Sequence, residues 1–280
     1  METTVLAHVL TDTERDMFER DGYFFVKDAL ISEQVRHFTA AVDDVDARER
    51  RAGRSGTDDR LNLHDAIGND ERFLDLIDWP TTFPKVWGIL GWNIQLYHTQ
   101  MVVSPTLSTP PQNPRLGWHQ DNNRMNRDME VALQPRVSLK VLYFLSEMPE
   151  AGMGNFYVVP GSHTTRTLAP DPDGGPNPAG ALAITAKAGD ALIFDRRLWH
   201  AASPNTSPVT RKVLFYGYSY RWLRPKCDMQ TAHLIERCDP IRRQLLGACT
   251  TANGYFDPQE DDVPLRAWMC RHLGSEKVPA

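Results

Sequence analysis

Two stretches far apart in the chain carry residue types that bind metal ions. The stretch GWHQDNNR, residues 117–124, places His119 and Asp121 two positions apart. Alternate side chains of a strand point to the same side, so this pair can address one ion. The stretch LIFDRRLWHAASPNTSPVTRK, residues 192–212, supplies His200 as a third ligand. Two histidines and a carboxylate on one face of an octahedral ion leave three positions open, which is typical of non-haem Fe(II) oxygenases. Zinc usually prefers four-coordinate sites richer in histidine or cysteine, so we predict iron.

Arg211 follows His200 in the second stretch and offers a cation for an acidic ligand. If the SPNTSP turn is centred between residues 205 and 206, antiparallel pairing places Arg211 opposite His200, on the same face of one sheet. We therefore predict that Arg211 projects into the cavity beside the metal and binds a carboxylate bidentately. A 2-oxo acid would occupy two of the three open positions on the ion and leave the third for O2. Its distal carboxylate would then meet this arginine.

These residues need a β-rich scaffold to bring them together. The segment NIQLYHTQMVV alternates with period two, which predicts a strand with Ile94, Leu96, His98, Gln100 and Val102 on one face. Further strand-like segments, separated by glycine, proline and asparagine, are RVSLKVLYFL, GNFYVVPGSH, GDALIFDRRLWHAA and TRKVLFYGYSYRW. Strands this frequent, without alternating helices, indicate an antiparallel sandwich or barrel.

The residues before the strand NIQLYHTQMVV are predicted to be mainly helical. Thr11 and Glu14 form a capping-box pattern, which predicts a first helix that ends near residue 22. A short strand in YFFVKDAL and a second helix from Ser32 should follow, and helical patterns return around 71–90. Three long irregular segments are predicted loops and candidate lids, and they cover residues 46–60, 104–116 and 165–180.

Composition excludes several classes of protein. The 280 residues carry a net charge of −5, which gives no basic surface for nucleic acid. No apolar run approaches the ~20 residues that span a bilayer, and the first residues lack the pattern of a signal peptide, so we expect no membrane partner and a cytoplasmic protein. The four cysteines lack CxxC spacing and are expected to be reduced thiols, mostly in the core; they are Cys227, Cys238, Cys249 and Cys270.

Over residues 11–225 the sequence resembles the phytanoyl-CoA dioxygenase (PhyH) family of Fe(II)/2-oxoglutarate-dependent oxygenases. FERDGYFFVKDALISEQV is similar to the N-terminal helix, strand and helix of that family, and HQD to its proximal metal motif. GNFYVVPGSH and GDALIFDRRLWHAASPNTSPVTRK resemble its distal half, including the eleven-residue step from His200 to Arg211. The resemblance implies a mainly β fold with flanking helices, namely a double-stranded β-helix (a cupin-like jelly roll).

The same resemblance implies roles for individual residues. His119, Asp121 and His200 would hold Fe(II), and Arg211 would bind the cosubstrate 2-oxoglutarate. Cosubstrate contacts are also implied for the positions of three residues, which are Gln100, Tyr143 and Asn62. Candidates for substrate contact flank these motifs, and they are Trp118, Asn122, Asn123 and Arg221. We expect a single oxygenase domain over 1–280, with an N-terminal helical layer and first strand (11–92), a jelly-roll core (93–225) and a C-terminal extension (226–280).

The predicted activity is that of a dioxygenase (EC 1.14.11-like) that hydroxylates or otherwise oxidises an unactivated C–H bond of a small metabolite, in secondary metabolism, with release of succinate and CO2. Asp121 favours hydroxylation over chlorination, because related halogenases lack this carboxylate. Ala202 replaces a serine of the phytanoyl-CoA enzyme, and no basic cluster for CoA phosphates is evident, which argues against a thioester substrate. Two other functions stay open, a non-catalytic jelly-roll sensor of a metal or 2-oxo acid and a zinc hydrolase. The sequence does not distinguish a monomer from a homodimer.

Overall fold

Nine strands form two antiparallel sheets in the computed structural model, which describes residues 1–56, 58–109, 111–129, 131–248 and 259–279. The strands are β1 (Tyr23–Val26), β2 (Leu61–His64), β3 (Ile94–Ser104), β4 (Ser138–Phe144), β5 (Phe156–Val158), β6 (Leu182–Ala183), β7 (Ala191–Asp195), β8 (His200–Ala202) and β9 (Arg211–Tyr220). The larger sheet has the order β1-β7-β4-β9-β3-β2, and the smaller has the order β6-β5-β8. This arrangement is the predicted jelly roll.

Helices that precede β3 or follow β9 cover the outer face of the larger sheet, whereas the helix Asn123–Asp128 lies beside the cavity at the predicted metal ligands. The α-helices are α1 (Asp12–Asp21), α2 (Ser32–Arg51), α3 (Ala66–Asn69), α4 (Phe83–Leu90), α5 (Asn123–Asp128), α6 (Pro240–Leu245) and α7 (Pro264–Leu273). Within the described ranges, 3-10 helices lie at Thr3–His8, Glu71–Asp78, Ser162–Thr164, Ala232–Arg237 and Ser275–Lys277. The predicted capping box is confirmed, because the side chain of Thr11 accepts from the Glu14 backbone and Glu14 reciprocates. None of the helices in the described ranges is long and apolar enough to cross a membrane.

Two hydrophobic clusters lie on opposite faces of the larger sheet. The inner cluster fills the space between the two sheets and includes Leu142, Phe144, Phe156, Phe194 and Phe215. The outer cluster joins the sheet to the N-terminal helices and to the C-terminal extension, whose Leu234, Ile241, Leu245, Leu265 and Trp268 are buried in it. Every residue of β4 is therefore buried, because helices cover one face and the second sheet covers the other.

The predicted loop over 46–60 is wrong in its first part, because α2 continues to Arg51. Asp46 and Arg50 form an i,i+4 ion pair of 3.0 Å, and the buried Glu49 binds Arg54. These pairs stabilise a last helical turn whose charged composition alone indicated a solvated loop.

The predicted face of β3 is also wrong, because a register shift between Leu96 and His98 interrupts the alternation. Ile94 and Leu96 belong to the outer cluster, whereas Val102 belongs to the inner one. A bulge adds one residue to a strand and reverses which side chains face inward beyond it. His98 and Gln100 thus lie on the inner face. Tyr97 is the added residue, because Leu96 and His98 pair with the consecutive residues Tyr218 and Gly217.

The predicted pairing of His200 with Arg211 is wrong as well, because β8 and β9 lie in different sheets. His200 pairs with Val158 of β5, whereas Arg211 pairs with Ser104 of β3. The SPNTSP turn therefore connects the two sheets instead of closing a hairpin within one. The two side chains still meet the same interior, because they approach it from opposite walls.

Gly217 makes room for the bulge, and we expect Gly217→Ala to lower the free energy of unfolding by about 1–3 kcal/mol. Gly217 pairs with His98 on one side and with Lys140 on the other. An added Cβ would lie 2.6 Å from Cε1 of Tyr97, which is buried and has to move. Chemical denaturation measures the loss. The control is Gly117→Ala, whose Cβ would meet nothing within 4 Å, and equal stability of the two variants would contradict the expectation.

Candidate metal and cosubstrate site

Hydrogen bonds between backbones bring His119 and His200 side by side. The two residues form an isolated antiparallel bridge, with each N–H donating to the other carbonyl at 3.0 Å. Residues directly opposed in an antiparallel pair point to the same face, and the two ring centroids are 4.3 Å apart. Asp121 follows in a turn that is held by its N–H donating to the Arg196 carbonyl at 2.9 Å.

The structure brings together the three predicted metal ligands. One ligand atom from each of His119, Asp121 and His200 lies within 4.8 Å of the others. Nδ1 of His119 is 2.9 Å from the Gly117 carbonyl, and Nδ1 of His200 is 2.8 Å from the Leu198 carbonyl. A carbonyl only accepts, so both Nδ1 atoms carry the proton and both Nε2 atoms are free to bind a metal. Two neutral imidazoles and one carboxylate fit an octahedral ferrous ion.

The charges around the cluster keep its ligands in metal-binding form. Burial lowers the pKa of His200 to about 3, so its imidazole is neutral at physiological pH. Burial alone would raise the pKa of Asp121, but Lys140 and other nearby positive groups outweigh it and hold that pKa below its ordinary value. Lys140, from the inner face of β4, places Nζ 2.8 Å from each carboxylate oxygen of Asp121. Asp121 is therefore a carboxylate held in place by a buried ammonium group.

Sequence reasoning missed Lys140, although a signal was present. The segment SLKVLYF is apolar except at its first residue and at Lys140. A charged residue is almost never fully buried without a partner, so a lysine in a fully buried strand points to a nearby carboxylate. Tyr97 was missed too, because no residue pattern marks the bulge that brings it close to the site.

Arg211 is buried, and no carboxylate in the described part of the chain pairs with it. Its exposed fraction is 2%. Within the described residues no carboxylate forms an ion pair with it, the charged group that acts on it is Arg60, and its Nε makes no hydrogen bond. It precedes Val213 and Phe215 on the face that contributes to the inner cluster. Gly154, with φ of 73°, leaves space for it, since a Cβ there would lie 3.0 Å from Cδ of Arg211. A buried cation in this state is complementary to an acidic ligand that enters the interior.

Gln100 and Asn62 lie beside one another on the inner face. Asn62 pairs with Val102, two positions after Gln100, and the Gln100 side-chain amide donates to Oδ1 of Asn62. Both positions agree with the implied cosubstrate role, which stays a prediction. His98, on the same face, places Nε2 3.0 Å from Nδ1 of His64 and is not among the clustered ligands.

Tyr143 does not face the site, contrary to the role that the resemblance implies for it. It belongs to the outer cluster, packs edge-on against Tyr216 and places its hydroxyl 2.6 Å from Oγ1 of Thr82. Both faces of β4 are buried, so the sequence alone could not show which face is the inner one. The neighbours Lys140, Leu142 and Phe144 point inward in its place.

We expect Tyr143→Phe to lower the free energy of unfolding by about 1 kcal/mol and to leave the affinity for 2-oxoglutarate unchanged. The variant removes one buried hydrogen bond and no inward-facing atom. Thermal unfolding and calorimetry measure the two effects. Tyr218→Phe is the matched control, because its hydroxyl donates to the Ile77 carbonyl at 2.8 Å on the same side of the sheet. A weaker binding of 2-oxoglutarate by the Tyr143 variant alone would restore the original assignment.

Of the candidates for substrate contact, Asn122 lines a cavity at the metal ligands and Trp118 lies in a different place. A cavity of about 520 Å³ opens beside the metal ligands and is lined by Asn122 together with Tyr97, Leu223 and Lys226. Trp118 lies beside the segment 168–178, and its indole N–H donates to Oδ1 of Asn177 at 3.0 Å. Asn123 begins α5, but its side chain lies outside the described residues.

Arg221 is not placed to contact a substrate. It is buried, and its Nη2 lies 3.0 Å from Oδ2 of Asp262 in the C-terminal extension. The interpretation as a substrate contact is therefore wrong, because Asp262, 41 positions along the chain, pairs with this buried cation. Cys227, Cys238 and Cys270 are free thiols, whereas Cys249 lies outside the described residues.

Comparisons with known proteins agree with this geometry. The family model of phytanoyl-CoA dioxygenase (PhyH) matches residues 18–213, which is more than half of the chain. "Dioxygenase af480" of Aspergillus fumigatus is 33% identical over 113 residues, a match that spans 39% of this chain and only 36% of that protein.

Two solved structures share the fold. The non-haem α-ketoglutarate-dependent carbocyclase SnoK from nogalamycin biosynthesis has a TM-score of 0.61 at 21% identity, covering 86% of this chain and 94% of its own. HygX from Streptomyces hygroscopicus, solved with nickel and 2-oxoglutarate bound, has a TM-score of 0.61 at 16% identity, covering 81% and 94%. The fold and family predicted from the sequence are confirmed, and the chain belongs to the phytanoyl-CoA dioxygenase family of non-haem iron, 2-oxoglutarate-dependent oxygenases.

Proposed function

We propose that this protein is an Fe(II)- and 2-oxoglutarate-dependent dioxygenase that oxidises an unactivated C–H bond of a small metabolite. The observation that carries the proposal is the placement of two groups around one interior. His119, Asp121 and His200 cluster at one wall, and Arg211, which is buried and has no carboxylate partner among the described residues, lies at another. Family membership and the nickel and 2-oxoglutarate bound by the similar HygX support the same cofactors.

The ion, when bound, supplies the activation of dioxygen that is coupled to decarboxylation of the 2-oxo acid. The side chains of the protein hold the ion and the cosubstrate in position. His119 and His200 offer Nε2 lone pairs because their Nδ1 protons are committed to carbonyl groups. Lys140 orients the carboxylate of Asp121, and Arg211 offers its guanidinium to the distal carboxylate of the cosubstrate. The inner cluster of Phe156, Phe194 and Phe215 excludes water from this interior.

The substrate side is expected at the cavity lined by Tyr97, Asn122 and Lys226, which opens beside His119 and Asp121. A volume of about 520 Å³ suits a free small molecule. SnoK, which shares the fold, comes from nogalamycin biosynthesis, and this supports a role in secondary metabolism for the present chain too.

Succinate formation tests the proposal. Purified protein with Fe(II), ascorbate and 2-oxoglutarate should release succinate slowly in air, and faster with an accepted metabolite. Without oxygen or iron, and in the His119→Ala variant, release should stop. Binding of 2-oxoglutarate without any succinate across a metabolite library would identify a sensor instead. Activity with zinc and without oxygen would identify a hydrolase.

A further inference from the structure

The cavity beside the metal ligands has more positive than negative side chains. Among the described residues that line it, Arg124, Arg224 and Lys226 are cationic, and Asp121 is the one carboxylate. Arg124 lies 3.0 Å from Asp128, and Arg224 lies 3.9 Å from Asp228. These two arginine side chains are 85% and 89% exposed, so water screens their charge. Lys226 differs from both.

Lys226 is held at the cavity wall by its backbone. Its N–H donates to the Tyr97 carbonyl at 2.8 Å, which fixes it beside the bulge of β3. Four residues later, the N–H of Gln230 donates to Oδ2 of Asp65 at 2.8 Å and anchors the same segment. The Lys226 side chain is 37% exposed, and its Nζ lies 3.7 Å from Oδ1 of Asp121. The backbone that carries Lys226 is therefore fixed at the cavity wall, and its ammonium group is partly shielded from water.

Asp121 cannot neutralise every cation that surrounds it. Lys140 already lies 2.8 Å from both of its oxygens, so two ammonium groups share one carboxylate. A divalent ion bound by His119, Asp121 and His200 would add further positive charge at the same carboxylate. Lys226 is then left without a compensating charge, facing the space where a substrate has to lie. Shielded cations of this kind favour anionic ligands.

We infer that the substrate carries an anionic group, a carboxylate or a phosphate, and that Lys226 binds it and so holds the reacting carbon beside the metal. Lys226 would be the residue that selects acidic over neutral metabolites. This inference rests on the proposed function, since it assumes that the cavity receives the substrate.

Calorimetry of the protein loaded with Ni(II) and saturating 2-oxoglutarate tests it without turnover. The 2-oxoglutarate occupies Arg211, so that added anions report on the cavity. The probes are two matched pairs, benzoate with benzamide and phenyl phosphate with phenol. We expect the preferred anion to bind at least about tenfold more tightly than its neutral partner, and the two pairs distinguish carboxylate from phosphate. Lys226→Gln should abolish this preference, whereas Lys226→Arg should retain it.

Arg271→Gln is the control, because it removes an exposed cation from α7 that lines no part of the cavity. It should keep the full preference for the anion. Equal binding within both pairs, no binding by any probe, or a preference that survives Lys226→Gln would overturn the inference. A separate result would contradict the proposed function itself. If the unchanged protein shows no nickel-dependent binding of 2-oxoglutarate when it is loaded, before any probe is added, the proposed function is wrong.

Discussion

His119→Ala is expected to weaken the binding of Ni(II) by at least about 100-fold while leaving the metal-free fold intact. His119 is the most exposed of the three ligands, so its removal leaves no cavity in the core. The backbone bridge between residues 119 and 200 should persist in the variant, because it is formed by N–H and carbonyl groups and does not depend on the side chain. Removing Asp121 would be less informative, since it would leave the buried Lys140 without its partner and destabilise the fold by about 3–5 kcal/mol.

Two measurements separate metal binding from folding. Calorimetry gives the affinity, and thermal unfolding with and without Ni(II) plus 2-oxoglutarate gives the stabilisation. A ligand at 100 times its Kd stabilises a fold by about 2.7 kcal/mol, and this gain should disappear in the variant. His233→Ala removes an exposed histidine from the segment Ala232–Arg237 and should keep the gain. If His119→Ala binds nickel as well as the unchanged protein does, the cluster is not the metal site.

The metal ligands could be predicted from sequence because each lies in a short recognisable segment. His119 and Asp121 are two positions apart in HQD, and His200 begins β8. The predicted alternation of His119 and Asp121 along one strand is wrong, because Asp121 lies in a turn. Arg211 was assigned to the interior through a pairing that the structure contradicts, since β8 and β9 belong to different sheets. The assignment survived because a jelly roll encloses one interior with both sheets, so an inward residue of either sheet reaches it.

Tyr143 and Lys140 show where pattern reasoning stops. Alternation along β4 separates the two faces but does not say which of them the helices cover, since all seven residues are buried. That choice depends on packing between distant segments. The bulge at Tyr97 is hidden for a similar reason, because it depends on how β3 pairs with β9. Both features place residues at the candidate site, so the least predictable positions are also the ones that shape the cavity.

Arg211→Met is expected to weaken the binding of 2-oxoglutarate by about 100-fold or more, and to leave the metal-free protein as stable as before or more stable. Burial lowers the pKa of Arg211 to about 9, so the fold disfavours its charged form. Met fills much of the same volume without the cost of a buried cation. Calorimetry in the presence of Ni(II) measures the affinity, and chemical denaturation measures the free energy of unfolding.

Arg196→Met is the matched control for stability, because Arg196 is equally buried but donates to the Pro135 carbonyl and to Oδ1 of Asn126. Its loss leaves buried acceptors without partners and should destabilise the fold, opposite in sign to the change at Arg211. The matched ligand is 2-oxobutyrate, which keeps the chelating end of 2-oxoglutarate but has no distal carboxylate. Arg211→Met should bind it as the unchanged protein does. An equal loss for both ligands would mean that Arg211 supports the fold of the interior instead of binding the distal carboxylate.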